Sequence, residues 1–117
     1  MLHHLSFAVT DLARSAVFYD AALSALGYGR VWEDETAVGY GLRAGEDKFA
    51  IKVRSSGVAV PGEGFHVAFA AVSRGDVASF YKAALEHGGR DNGDRRCIPN
   101  TASIITPRLS LIQMGIA

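Results

Sequence analysis

The chain repeats itself. Residues 4–27, HLSFAVTDLARSAVFYDAALSALG, return at 66–89 as HVAFAAVSRGDVASFYKAALEHGG after one gapless shift of 62 positions. The shift sets His4 on His66, Phe7 on Phe69, Phe18-Tyr19 on Phe80-Tyr81, and Ala21-Ala22-Leu23 on Ala83-Ala84-Leu85. Ten of the 24 positions are identical, far beyond what composition gives. Two copies make a duplicated module and not a solenoid, so the fold must use the same elements twice.

Each copy has a readable order. LHHLSFAV alternates, which predicts a strand with Leu5, Phe7 and Val9 on one face and His4, Ser6 and Ala8 on the other. Thr10 or Asp11 is a suitable N-cap for a following helix. In that helix Leu12, Ala16, Tyr19, Leu23 and Leu26 form one apolar stripe, and Gly27 and Gly29 end it. Strands are predicted over 30–33, 38–43 and 48–54, separated by the turn segments DET and AGED. Residues 55–64, with Pro61 and three glycines, read as a linker. A strand over 65–72 and a helix from about Asp76 to His87 then restart the pattern. A polar loop, RDNGDRRCIPN, precedes two strands at 102–106 and 109–114. The expected fold is α+β: one domain, residues 1–117, of two tandem βαβββ modules forming a cupped sheet. The first module is 1–54 and the second 65–117, altered at its C-terminal end after residue 94.

Composition narrows the function classes. Twelve basic residues balance twelve acidic ones, so no charge excess draws the chain to nucleic acid or an anionic membrane. Cys97 is the one cysteine, which rules out an internal disulfide and fits a reducing compartment. No apolar run approaches the ~20 residues of a membrane span, and the N-terminus enters a strand pattern without a signal-peptide profile. The expectation is a cytoplasmic protein.

A histidine in the first strand, an FY-x-A-A-L helix and a βαβββ module used twice resemble the vicinal oxygen chelate superfamily. That is the group of glyoxalases, bleomycin-resistance proteins and extradiol dioxygenases. The resemblance is to its short bacterial members and covers about residues 2–94. It implies a cup completed in a homodimer, a small-molecule ligand, and a divalent metal (Zn, Ni, Fe or Mn) held by first-strand histidines and last-strand glutamates. Such an ion, with open positions, binds two adjacent substrate oxygens as a Lewis acid and supports lyase or dioxygenase chemistry.

The candidate ligands are His4, His66 and, weakly, Gln113. Carried to the last strands, the 62-residue shift pairs Ile51 with Gln113 where the family has its glutamates. Ile51 ligates nothing and Gln113 offers a neutral carbonyl, whereas structural and catalytic sites want three or four protein ligands. The ligand count argues against an intact metal centre. Trp32 and Tyr40 are the candidate aromatic wall for a ligand, with core packing the competing role. Phe18-Tyr19 and Phe80-Tyr81 read as helix–sheet core. His87, beside Gly88-Gly89, reads as a histidine favoured at a helix C-terminus. His3 reads as exposed, and Cys97 has no histidine near it to activate a thiol. Two function readings follow: a glyoxalase/bleomycin-resistance-like protein with a degraded metal site, and a metal-free module that binds an aromatic or drug-like ligand.

The tail departs from the family after Asp94. In the family a tyrosine-rich strand, a DP-x-G turn and an I-E strand follow; here the chain reads DRRCIPNTASIITPRLSLIQMGIA. One reading keeps it in register, with Thr106-Pro107 for the DP turn and Ile112-Gln113 for the I-E pair. The favoured reading is a frameshift. In a shifted frame the codons of Gln113-Met114-Gly115 give Asp or Asn followed by Gly, and those before them permit Asp-Pro and Tyr-Tyr-Ala-Ala. Sequencing the gene tests this: a shifted frame that spells a DP-x-G-x-x-I-E-like ending supports it, and any other ending removes it.

Overall fold

The structure, a computed structural model, describes residues 3–54, 67–91, 101–105 and 111–116, with side-chain surroundings for 3–54 and 67–90. The linker expected at 55–64, His66 and Cys97 lie outside the described residues. The elements run β1 (Leu5–Val9), α1 (Leu12–Ser24), β2 (Gly29–Glu33), β3 (Ala37–Gly41), β4 (Asp47–Val53), β5 (Val67–Ala71), α2 (Arg74–Glu86), β6 (Arg90–Asp91), β7 (Thr101–Ile105) and β8 (Leu111–Ile116). They form two four-stranded sheets of like order, β1-β4-β3-β2 and β5-β8-β7-β6, with the first-named pair parallel in each. This is the α+β class that the repeat predicts. No helix among the described residues is long and apolar enough to cross a membrane.

Local chemistry sets the helix limits. Asp11 accepts a hydrogen bond from the Arg14 N–H at 3.0 Å, and Ser73 does the same for Asp76 at 3.2 Å. Each satisfies one backbone donor that the first turn leaves free. At the other end Tyr28 N–H reaches back to the Leu23 carbonyl at 3.1 Å, with Gly27 at φ 83°. Gly89 N–H reaches the Ala84 carbonyl at 2.8 Å, with Gly88 at φ 104°. Both are Schellman-type closures that need a left-handed residue, and glycine meets that need without strain. Gly88 therefore matches Gly27, one position off the 62-residue shift. The His87 ring Nδ1 lies 2.8 Å from the Ala83 carbonyl, the helix-end position expected for it.

One core joins both halves. Register rows Leu5–Phe49–Tyr40 and Phe7–Ile51–Val38 face α1, where Ala16, Phe18, Tyr19, Ala22 and Leu23 are buried. α1 packs against α2, and Ala71, Val77, Phe80 and Ala84 belong to the same core. Phe49 is the junction: its ring centroid lies 5.3 Å from Phe7, 4.9 Å from Tyr19 and 5.4 Å from Phe69. The T-shaped contacts to Phe7 and Phe69 set ring edge against ring face, the favoured geometry. With the apolar faces turned inward, Ser6, Ala8, Ala68 and Ala70 are left exposed on the outer faces. Replacing Phe49 by Ala is expected to cost about 3–5 kcal/mol, the range for emptying a buried aromatic site. Urea denaturation of the variant against the parent checks it.

Candidate functional site

On the outer face of the first sheet one register row crosses all four strands: Ser6, Ala50, Gly39, Trp32. Three small residues and an indole make up the row; Ser6 is exposed, Trp32 partly so, and Ala50 and Gly39 are buried. The Trp32 ring lies over Gly39 so closely that a Cβ on Gly39 would collide with its Nε1 and Cε2. Glycine inside a strand is costly, and an aromatic laid across it restores the lost packing. Trp32 reaches this face through a β-bulge. Arg30 pairs with Tyr40 and Trp32 with Gly39, a register shift that inserts one residue, Val31. In a regular strand Arg30 and Trp32 would share a face. Here Arg30 turns to α1 and Trp32 turns outward.

The inner side of the same bulge is ionic. Arg30 Nε donates to Asp20 Oδ1 at 2.9 Å and Nη2 to Asp20 Oδ2 at 2.7 Å, a two-pronged pair between β2 and α1. Its Nη1 donates to Glu33 Oε2 at 2.7 Å, spanning Val31 and Trp32. The Tyr40 hydroxyl donates to Asp20 Oδ1 at 2.8 Å. Partial burial pushes the Asp20 carboxyl up, but hydrogen bonds from Arg30 and Tyr40 and the Arg30 charge outweigh it, so it titrates below its ordinary value. Burial, then the bond to Asp20, drives the Tyr40 phenol well above its usual range, and it stays neutral. At the hairpin, Asp34 Oδ1 accepts from Thr36 N–H, Thr36 Oγ1 and Ala37 N–H at 2.8, 3.0 and 2.9 Å. Those bonds hold the Asp34 carboxyl below its ordinary value.

The residues singled out from sequence separate. Trp32 is partly exposed on the outer face, as a ligand wall requires. Tyr40 is not there: it is 1% exposed, faces α1 and spends its hydroxyl on Asp20. The period-two alternation of β3 puts Tyr40 opposite in face to Gly39, and the bulge puts Trp32 with Gly39. Ile51 is likewise misplaced by the 62-residue shift. Phe7 pairs with Ile51, but Phe69 pairs with Met114; Ser6 pairs with Ala50, and Ala68 with Gln113. The offset in the last strand is 63, so the counterpart of Gln113 is Ala50, while Ile51 is a core residue with 0% exposure. His4 is exposed just before β1, its ring Nδ1 2.9 Å from that of His3. Among the described residues no group of three His, Cys, Asp or Glu side chains is placed to hold a metal. His66 and the Gln113 side chain, the other candidate ligands, lie outside the side chains described. Asp20, Arg30 and Gly39 went unmarked in the sequence, because ion pairs between distant segments leave no local pattern.

The sequence profile of the Glyoxalase/Bleomycin resistance protein/Dioxygenase superfamily matches residues 1–106. The chain belongs to this superfamily. The match runs past Asp94, where the resemblance read from sequence ends, and stops before β8. A glyoxalase/bleomycin resistance protein from Albidiferax ferrireducens T118 superposes with a TM-score of 0.82 at 26% identity, covering 97% of this chain and 96% of that one. Two fosfomycin resistance proteins named FosX share the fold. The one from Mesorhizobium loti has a TM-score of 0.71 at 14% identity, over 100% of this chain and 92% of its own. The Listeria monocytogenes protein, complexed with Mn(II) and sulfate, has 0.71 at 12%, over 100% and 90%. No curated protein matches the chain.

The Asp20 carboxyl gives a pH prediction. Its folded pKa lies below the unfolded value, so its contribution is present above the ordinary carboxylate pKa of about 4 and is lost as pH falls through the lower folded value. Asp20→Asn should cost about 1 kcal/mol at neutral pH, modest because the pair is partly solvated. The deficit should shrink as the pH is taken below about 4, read from denaturation curves across pH.

Proposed function

We propose that this superfamily member binds a small aromatic or drug-like molecule on its outer face without using a metal. The observation that carries this reading is the row Ser6–Ala50–Gly39–Trp32, in which a stacked indole borders three small residues and Ala50 stands at the register position of Gln113. A planar ligand finds there the exposed part of an indole to stack on, in a row whose other end is the exposed Ser6, with few polar groups to desolvate. Trp32 is the sole tryptophan of the chain, so its fluorescence reports on this site alone. Titration with a panel of aromatic ligands, bleomycin included, is expected to change that emission saturably, and Trp32→Phe should weaken binding about ten-fold. An emission indifferent to the whole panel overturns the reading.

The second reading keeps a degraded metal centre, of a lyase or dioxygenase relative, on His4, His66 and Gln113. It is favoured by the equivalence of His4 and His66 in the repeat. A divalent ion, Zn, Ni, Fe or Mn, would supply Lewis acidity there. Isothermal titration with these ions is expected to show binding weaker than micromolar, and Gln113→Glu should strengthen it at least ten-fold by adding an anionic ligand. Micromolar or tighter binding by the parent chain would revive the metal enzyme. The same proposal takes residues 1–54 and 65–117 as two modules of one domain, working in the cytoplasm. It pairs two chains as a homodimer, since β1 and β5 each end a sheet and an open strand edge favours pairing.

A further inference from the structure

The bulge in β2 decides which face receives Trp32, and its inner side is strapped by three charged residues. We propose that Asp20, Arg30 and Glu33 are positioning residues for Trp32: they hold β2 in the bulged register and so keep the indole on the outer face.

The alternative register shows what they prevent. With Val31 paired in line and no bulge, Val31 would oppose Gly39, and Trp32 would oppose Val38 on the face that packs against α1. Val38 is buried there, so an indole at that position meets an occupied core. The two registers differ by one residue and invert the face of everything after Arg30. Hairpin register is set by turn chemistry and by side-chain contacts on the strands. The Asp34 turn fixes the far end of β2, with Asp34 N–H donating to the Ala37 carbonyl at 3.0 Å. Arg30 fixes the near end. Its two-pronged bond to Asp20 ties the residue before the bulge to α1, and its third bond to Glu33 ties it to the residue after Trp32. Val31 and Trp32 are thus enclosed between two tethered residues, one too many for a flat strand. A guanidinium is suited to this task because its planar fork serves both carboxylates at once, and an ammonium cannot.

The functional meaning of this device rests on Trp32 as the ligand wall; the test does not, because it is read on the ligand-free protein. Acrylamide quenching and the emission maximum of Trp32 are measured well below the unfolding midpoint, for the parent, Glu33→Gln and Arg30→Lys. Glu33 is a safe site to alter, since its side chain is 60% exposed. Gly39→Ala is the reference for a displaced indole, because its Cβ takes the space of the ring. The expected result is an emission maximum and a quenching constant that both depart from the parental values, with aromatic-ligand affinity falling roughly two- to five-fold, the scale of one surface ion pair. Arg30→Lys should fail to restore parental emission although it keeps the charge. A lower unfolding midpoint with unchanged emission and quenching overturns the proposal and leaves the three residues merely structural. If emission shifts as expected while the parent binds no aromatic ligand, the positioning role stands and the ligand reading falls.

Discussion

Phe49 is the contact on which the rest of the structure depends. It sits on the inner face of β4, the strand that pairs with β1 on one side and β3 on the other. Its ring meets Phe7, Tyr19 and Phe69, so a single side chain gathers two strands of the first sheet, the first helix and the opening strand of the second sheet. Burying a ring of this size contributes about 1.5–3 kcal/mol from solvent transfer alone. The consequence is architectural. With apolar faces committed to a shared interior, the outer faces are left to small residues such as Ser6, Ala8, Ala68 and Ala70.

Much of this was legible in the sequence. The 62-residue repeat, the alternation of Leu5, Phe7 and Val9 and the stripe Ala16, Tyr19, Leu23 all obey the periods of regular elements, and most observed elements begin within about two residues of the expected ones; β1 starts three residues late, and β6 forms at Arg90–Asp91, where the sequence predicts a loop. Asp11 and the closing glycines are local signals with local causes. Tyr40 takes the core role that competed with a ligand wall, since the bulge at Val31 sets Trp32 with Gly39 on the other face. Ile51 is matched to Gln113 by a constant shift, and the register of β8 against β5 is one residue longer than that shift allows. A strand has period two, so one residue is enough to exchange inside for outside.

The same arithmetic sharpens the metal question without deciding it by absence. Ala50, and not Ile51, answers to Gln113. Ile51 is a core residue, whereas Ala50 lies in the row with Ser6, Gly39 and Trp32. The Listeria FosX, complexed with Mn(II), shares the fold, and in this chain the corresponding sheet carries the row that ends on Trp32.

The bulge has one more consequence, for how such a face can change over time. Substitution is the usual way to exchange one surface residue for another, and it must supply a new side chain. In β2 the same exchange is available through pairing. With Val31 paired in line instead of bulged, Val31 and not Trp32 would oppose Gly39, and every side chain in the strand would keep its identity. Deleting Val31 would do the opposite, flattening the strand and leaving Trp32 opposite Gly39. For this sheet, what the outer face shows is set by how the strand is paired as much as by what it contains.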